Sequence, residues 1–137
     1  MRYIGLVTLC ATVAVLASAC GSSHSTAPST PNTSGIWTGT VTDALVGQGT
    51  VRLTITQSGS SIAGTWATTY SNANNNSGGS LTGSVNNPIV TATLVPSIPT
   101  ACPFNATATM NASAMSGTYT AFNCAVAVSG SISVSKQ

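Results

Sequence analysis

From residue 35 to Gln137, short stretches rich in Val, Ile, Thr and aromatic residues are separated by clusters of Gly, Asn, Ser and Pro. Apolar and polar positions follow a period of two within these stretches, which is typical of half-buried β-strands, and no helical period runs through them. We predict eight strands, at residues 36–41, 50–57, 61–68, 80–85, 89–95, 102–110, 115–122 and 125–135. The pattern therefore indicates an all-β domain over residues 35–137.

The connections between the predicted strands alternate in length. Three are tight turns rich in Asn, Ser, Gly and Pro: 58–60, 86–88 and 111–113. Three are longer: 42–49, 69–79 and 96–101. Because successive connections of a meander fall at opposite ends, the alternation predicts one end closed by tight turns and one mouth formed by long loops. We predict an eight-stranded antiparallel up-and-down barrel, and a β-sandwich of the same strands is the alternative.

Five of the strands repeat a short unit: an apolar residue, any residue, Gly, Ser or Thr, and an apolar residue. The units lie at 37–41, 62–66, 81–85, 115–119 and 128–132. Alternate residues of a strand share a face, so each unit presents a glycine between two apolar side chains. Such a glycine marks a bend or a close backbone approach, as closure of a small barrel demands. Chance recurrence in a chain rich in Gly, Ser and Thr is the alternative.

Two cysteines of the domain fit the predicted layout. A hairpin turning about residues 112–114 sets Cys102 opposite Cys124 and Phe104 opposite Phe122. We therefore predict a Cys102–Cys124 disulfide, which stabilises the domain by about 3 kcal/mol through restriction of the unfolded chain. The repeated unit places its apolar residues on the other face of this hairpin, so the disulfide either faces outward or follows a bulge.

The first residues of the chain are typical of an export signal. Arg2 gives a positive start, residues 4–16 are apolar, and the small residues 17–19 precede Cys20. The apolar run is too short for a stable membrane span. We expect residues 1–19 to be a signal peptide that is removed on export, together with Cys10.

The sequence Leu16-Ala17-Ser18-Ala19-Cys20 resembles the lipobox of bacterial lipoproteins. The resemblance implies that cleavage precedes Cys20 and that its sulfur receives a lipid anchor, with acyl chains such as palmitate. Ala17 stands where Leu is commonest in the family, so an ordinary signal cleaved near Ala19 is the alternative. The expected partner of Cys20 is a membrane.

Residues 20–34 are rich in Ser, Thr and Pro and contain no large apolar residue. This composition predicts a flexible linker between the anchor and the domain, in an oxidising compartment that permits the disulfide. Gly21, and not Asp, follows the cysteine. By resemblance to enterobacterial lipoproteins, this favours the outer membrane over the inner membrane of the cell envelope.

Charge is scarce in the expected mature protein, which carries Asp43, Arg52 and Lys136 as its charged residues. Without a basic stripe, nucleic acid is not an expected partner. His24 is the only histidine of the sequence and lies in the linker, so we expect no metal and no cofactor. Asp43 is the one candidate acid or base, and a single carboxylate without a partner does not predict an enzyme.

The few aromatic side chains are concentrated toward the predicted mouth. Trp66, Tyr70, Phe104, Tyr119 and Phe122 are the candidate ligand-binding residues. Eight strands enclose just enough room for side chains or for one small ligand. One interpretation is an apolar pocket, and the alternative is that the same aromatic residues fill the core.

The start of the first strand, Gly35-Ile36-Trp37, resembles the Gly-x-Trp signature of lipocalins. In that family the tryptophan closes the bottom of the barrel beneath a basic residue, so the resemblance implies this role for Trp37 and Lys136. The Gly-Thr-aromatic texture is similar to that of the avidin family, another eight-stranded meander. No polar ligand-binding residues of that family match positions here.

The sequence thus predicts a membrane-anchored envelope lipoprotein whose small barrel binds a small apolar or amphipathic ligand. The alternative is a non-catalytic interaction, adhesion or inhibitor module that contacts an envelope protein through its long loops.

Overall fold

A computed structural model of the protein describes residues 32–137. The predicted signal peptide, the lipid anchor on Cys20 and most of the linker lie outside the described residues. The strands are β1 (Gly35–Asp43), β2 (Gly47–Ser58), β3 (Ser61–Tyr70), β4 (Ser77–Asn86), β5 (Ile89–Pro96), β6 (Phe104–Asn111), β7 (Ala114–Ala121) and β8 (Ser129–Lys136). A single 3-10 turn at Ala73–Asn75 joins β3 to β4. Within this part of the chain, no helix is long and apolar enough to cross a membrane.

Each strand pairs with its sequence neighbours in antiparallel register, and β8 returns to pair with β1. The predicted eight-stranded up-and-down barrel is confirmed, and the alternative of a β-sandwich is wrong. Because both edges of every strand are paired inside residues 32–137, the barrel closes without help from any other segment.

The repeated glycine unit brings neighbouring strands unusually close. A Cβ atom placed at Gly39 would overlap the backbone oxygen of Ser133 on β8, and one at Gly64 would overlap that of Thr54 on β2. The central glycines of the other three units meet their neighbouring strands in the same way. These positions therefore admit no side chain, which is the close approach that the repeated unit predicts.

The inward positions of the strands form one apolar core. Its buried members are Trp37, Val41, Val51, Leu53, Ile55, Ile62, Trp66, Leu81, Val85, Val90, Ala108, Met110, Met115, Tyr119 and Val134. The residues between them carry mainly Ser and Thr side chains to the outer surface. The period of two in the sequence thus separates interior from exterior around the barrel.

The two ends of the barrel differ as the connection lengths predict. The closed end holds the turns at 59–60, 87–88 and 112–113, and the mouth holds the connections at 44–46, 71–76, 97–103 and 122–128. Several predicted boundaries at the mouth are wrong. β4 begins at Ser77, and not at Ser80, and β6 begins at Phe104, and not at Cys102. β8 begins at Ser129, and not at Ala125, because its ladder with β7 ends at the pair Thr120 and Ser129. The first connection is short because β1 and β2 stay paired as far as Asp43 and Gly47.

The β6–β7 hairpin corrects the predicted register by one residue. Phe104 pairs with Ala121, and not with Phe122, because the turn consists of two residues, with Ala112 at a positive φ of 52°. A shift of one residue moves a side chain to the other face of a strand. Phe104 therefore shares the interior with Tyr119, and the conflict between faces in the sequence prediction disappears.

Cys102 and Cys124 lie beyond the ends of β6 and β7, in the loops at the mouth. Their Cα atoms are 5.9 Å apart, at disulfide-bonding distance, which confirms the predicted pairing. The bridge joins the β5–β6 connection to the β7–β8 connection, so it fixes two of the four mouth loops to each other.

Trp37 closes the bottom of the barrel and is fully buried. Its indole N–H donates to the backbone oxygen of Thr33 at 2.8 Å. The Lys136 ammonium lies 5.8 Å from the Trp37 ring centroid, within the range of a cation–π contact, and donates to the backbone oxygen of Asn32 at 2.9 Å.

The last three residues of the predicted flexible linker, 32–34, belong to this closed end. Thr33 is fully buried, and its backbone N–H and hydroxyl both donate to the side-chain oxygen of Gln57. The linker boundary at Ser34 is therefore placed too late. A composition of Ser and Thr predicts poor burial on average, but Thr33 and Ser34 form partly buried hydrogen bonds with Gln57.

Candidate ligand-binding site

A cavity of about 230 Å³ runs from the mouth into the barrel. Its wall reaches from the loop residues Leu45, Asn75 and Val128 down to Ile62 and Met115. An engineered apolar cavity of about 150 Å³ is large enough to bind benzene, so by proportion this one takes roughly nine non-hydrogen atoms. The cavity is too large to be a packing defect and suits one small molecule.

Small side chains on β5 and β6 create the space. Ala92 and Ala106 face each other across the two strands, and Ala108 follows on the same face of β6. All three line the cavity, where longer side chains would fill it. The alternation in the sequence predicts that these positions face inward. It does not predict that the space beside these small side chains stays empty.

Three aromatic rings from different strands meet in the cavity wall. Trp66 of β3 and Phe104 of β6 lie with ring centroids 6.1 Å apart, and Phe104 lies 5.5 Å from Tyr119 of β7. Both pairs are edge-to-face, which is a favourable arrangement for aromatic quadrupoles. Tyr70, at the end of β3, also lines the cavity.

The fifth predicted residue, Phe122, is not among the residues that line the cavity. It follows β7 in the mouth loop, where its backbone N–H donates to the oxygen of Pro103 at 3.1 Å. The register that pairs Phe104 with Ala121 separates Phe122 from the other four aromatic residues. The structure thus brings together Trp66, Tyr70, Phe104 and Tyr119.

The indole N–H of Trp66 is buried and has no hydrogen-bond acceptor within residues 32–137. Trp37 differs, because its N–H is bonded to Thr33. Buried donors are seldom left without a partner, so the unpaired N–H in the cavity wall sets this site apart from the rest of the interior.

Asp43 is the main polar group of the site. It is buried at the end of β1, and one carboxylate oxygen accepts the backbone N–H groups of Leu45 at 2.9 Å and Val46 at 3.1 Å. The other oxygen accepts the hydroxyl of Tyr119 at 2.7 Å. Asp43 is not among the candidate ligand-binding residues predicted from the sequence. Its spacing from Trp37 and Val41 is the missed signal, because all three share the inward face of β1.

The two tyrosines of the site are held in their neutral form. Burial raises the pKa of Tyr119 far above the usual tyrosine value, and its hydrogen bond to Asp43 raises that pKa further. Burial also raises the pKa of Tyr70, while a hydrogen bond with Tyr119 opposes this rise. Both phenols therefore keep their protons at neutral pH.

No Lys, Arg or His lines the cavity within the described part of the chain. Arg52 is exposed on the outer face of β2, and Lys136 lies at the closed end. Residues 32–137 also hold no group of three or more His, Cys, Asp or Glu side chains that could bind a metal ion. The site is an apolar chamber with one hydrogen-bonded carboxylate near its opening.

No protein-family model matches the chain, and no curated protein sequence matches it as a relative.

Proposed function

We propose that the barrel binds one small apolar or amphipathic molecule in the cavity beneath its mouth. The observation that carries the proposal is the chamber of about 230 Å³ walled by aromatic and aliphatic side chains. Transfer of a buried CH₂ group from water is favourable by about 0.8 kcal/mol, so a molecule of roughly nine non-hydrogen atoms gains about 7 kcal/mol. Costs of association reduce this gain, and we expect a Kd of roughly 10 to 1,000 μM.

The proposal includes a lipid anchor on Cys20 and a place in the cell envelope, with the outer membrane preferred. Its support is the lipobox resemblance at residues 16–20 and the polar segment that follows. The chain enters the barrel at the closed end, where Asn32 accepts a hydrogen bond from Lys136. A membrane tether attached there leaves the mouth facing away from the anchor.

The proposal also assigns the barrel no catalytic activity. Asp43 is the one carboxylate of the sequence, and both its oxygens already accept hydrogen bonds from Tyr119 and from the backbone of the mouth loop. A group that takes part in proton transfer needs a reactive partner within reach, and the residues around Asp43 supply structural donors.

Native mass spectrometry tests ligand binding directly. Residues 32–137 are exported to an oxidising periplasm, purified without detergent, mixed with an excess of 1-octanol as a small amphipathic probe, and weighed under native and then denaturing conditions. We expect a loss of about 130 Da on denaturation, the mass of roughly nine non-hydrogen atoms. Ala106→Leu, which fills the cavity, should lose this extra mass, whereas Ala67→Leu on the outer face should keep it. A bare mass from the unchanged barrel contradicts the proposal.

A second candidate function is a protein-interaction module, favoured by the apolar side chains exposed at the mouth. Leu45, Ile98 and Val126 lie on three different mouth loops and are 62%, 58% and 59% exposed. Clustered exposed apolar residues commonly mark interaction sites. If this function is correct, replacing Ile98 and Val126 by Ser abolishes cross-linking to an envelope partner and leaves the retained mass unchanged, because neither residue lines the cavity. Loss of the retained mass without loss of cross-linking contradicts it.

A further inference from the structure

We propose that the molecule taken by this cavity is an alcohol, whose hydroxyl group donates a hydrogen bond to Asp43, and that carboxylates of the same size are excluded. The inference rests on the proposed ligand-binding function and narrows its chemistry. It combines three observations: the charges that face the cavity, the free hydrogen-bonding capacity of Asp43, and the size of the apolar chamber.

The charge facing the cavity is negative and has no opposite charge beside it. Asp43, Tyr70 and Tyr119 are the titratable groups of the wall, and they come from β1, β3 and β7. Both tyrosines are neutral at neutral pH, so the Asp43 carboxylate is the one charge there. A ligand carboxylate would lose its hydration near another carboxylate, with no cation to compensate, and such burial is costly.

Asp43 retains room for one further donor. An ionised carboxylate offers about four acceptor positions. One oxygen of Asp43 uses two of them for the N–H groups of Leu45 and Val46, and the other uses one for the Tyr119 hydroxyl. A ligand hydroxyl can donate to the remaining position, whereas an ether oxygen has no proton to donate.

The apolar chamber determines the size and polarity of the part of the ligand that does not contact Asp43. Apart from Asp43 the wall is mainly apolar, and it includes Trp66, Phe104 and the facing alanines Ala92 and Ala106. At about 230 Å³ the space is filled by a chain or ring of roughly eight carbons with one oxygen. A head group at the mouth and a tail in the chamber satisfy the polar and apolar parts of the site together.

Three probes of nearly equal size separate these effects: 1-octanol, heptyl methyl ether and octanoate. Their binding to residues 32–137, with the disulfide formed, is measured by isothermal titration calorimetry at neutral pH. We expect the ether to bind about 10-fold more weakly than octanol, because it forfeits a hydrogen bond to a charged acceptor. Octanoate should bind at least about 30-fold more weakly, because its charge is buried without a partner.

Asp43→Asn tests the origin of the discrimination. The amide keeps a hydrogen-bond acceptor and removes the negative charge, so the difference between octanol and octanoate should shrink to less than about 5-fold. Arg52→Gln changes a charge on the outer face and should leave all three affinities unchanged. If Asp43→Asn does not fold, the affinities of the three probes for the unchanged barrel are sufficient to test the alcohol assignment.

The outcomes distinguish the two levels of the proposal. If the Kd of octanoate or of the ether is within 3-fold of that of octanol, the alcohol assignment is wrong, but the proposal of ligand binding still stands. If none of the probes binds and no retained mass is found on denaturation, ligand binding itself fails, and this inference fails with it.

Discussion

The closed end and the mouth of this barrel are built from the same eight strands but are packed in opposite ways. At the closed end, Trp37 is fully buried, and Met110, Met115 and Val134 are buried as well. Toward the mouth, alanines of β5 and β6 face inward and leave a chamber of about 230 Å³. In a small barrel, one end can therefore supply most of the close packing while the other encloses an open chamber.

The largest expected effect comes from emptying the closed end. Trp37→Ala removes a large buried side chain, its bond to Thr33 and its contact with Lys136. We expect the free energy of unfolding to fall by about 4 kcal/mol, as is typical of buried aromatic truncations. Urea unfolding of residues 32–137 measures it. A decrease of less than about 2 kcal/mol in the free energy of unfolding would mean that packing at the closed end contributes little to the stability of the barrel.

Adding volume should have opposite effects at the two ends. Val134→Phe inserts a ring where β8 lies against Gly39 and Met115, and we expect it to cost about 1 to 3 kcal/mol of stability. Ala106→Leu adds carbons into the existing chamber, and we expect stability to stay within about 1 kcal/mol or to rise. The same urea titrations compare the two variants. Equal destabilisation would show that the mouth has no usable space.

Alkaline pH should destabilise the barrel through the two tyrosines that line the cavity at the mouth. The folded-state pKa values of Tyr119 and Tyr70 lie above the ordinary value near 10, so the folded barrel favours the protonated phenols. Stability is unaffected below about pH 9 and falls as pH rises past 10, by about 1.4 kcal/mol per pH unit for each tyrosine that ionises only on unfolding. Tyrosinate absorbance and urea unfolding, recorded together, check this. Tyrosine ionisation near pH 10 in a folded barrel would contradict it, and Tyr119→Phe should reduce the slope.

The smallest effect separates the two tryptophans. Trp37→Phe and Trp66→Phe remove the same part of a buried ring, so both lose packing. Trp37→Phe also loses a bonded N–H, whereas the Trp66 N–H has no acceptor within the described residues, so we expect Trp37→Phe to cost about 1 kcal/mol more than Trp66→Phe. Thermal unfolding of both variants gives the comparison. A greater cost at Trp66 would mean that its N–H has a partner, such as a retained ligand.

Strand number, order and closure follow from the sequence because inward and outward residues differ so clearly in polarity. The repeated glycines give a further correct signal, since a Cβ at Gly39 or Gly64 has no space in the barrel. The β6–β7 register depends instead on the φ angle of Ala112, which composition does not reveal, and one residue of error there moves Phe104 to the wrong face.

The site is less accessible to sequence reasoning than the fold. Four aromatic lining residues could be named because large rings are few and lie on the inward face. The volume of the chamber depends on the inward side chains of all eight strands together. The sequence alone therefore does not show that Ala92 and Ala106, which face each other, leave an empty space. Asp43 could have been found from its spacing to Val41, but its partner Tyr119 is distant in the chain.

Both ends of the barrel segment leave from the closed end, where Trp37 pairs with Lys136 across β1 and β8 and Asn32 lies beside Lys136. The chain could therefore begin at a different strand without changing which strands are neighbours around the barrel. A short linker from Gln137 to Asn32, with new termini opened in the polar loop 71–76, yields a circular permutant with the same eight neighbours. The same geometry lets a reporter domain or a solid support be attached at either end while the mouth stays unobstructed, so the barrel is suited to use as an immobilised sensor.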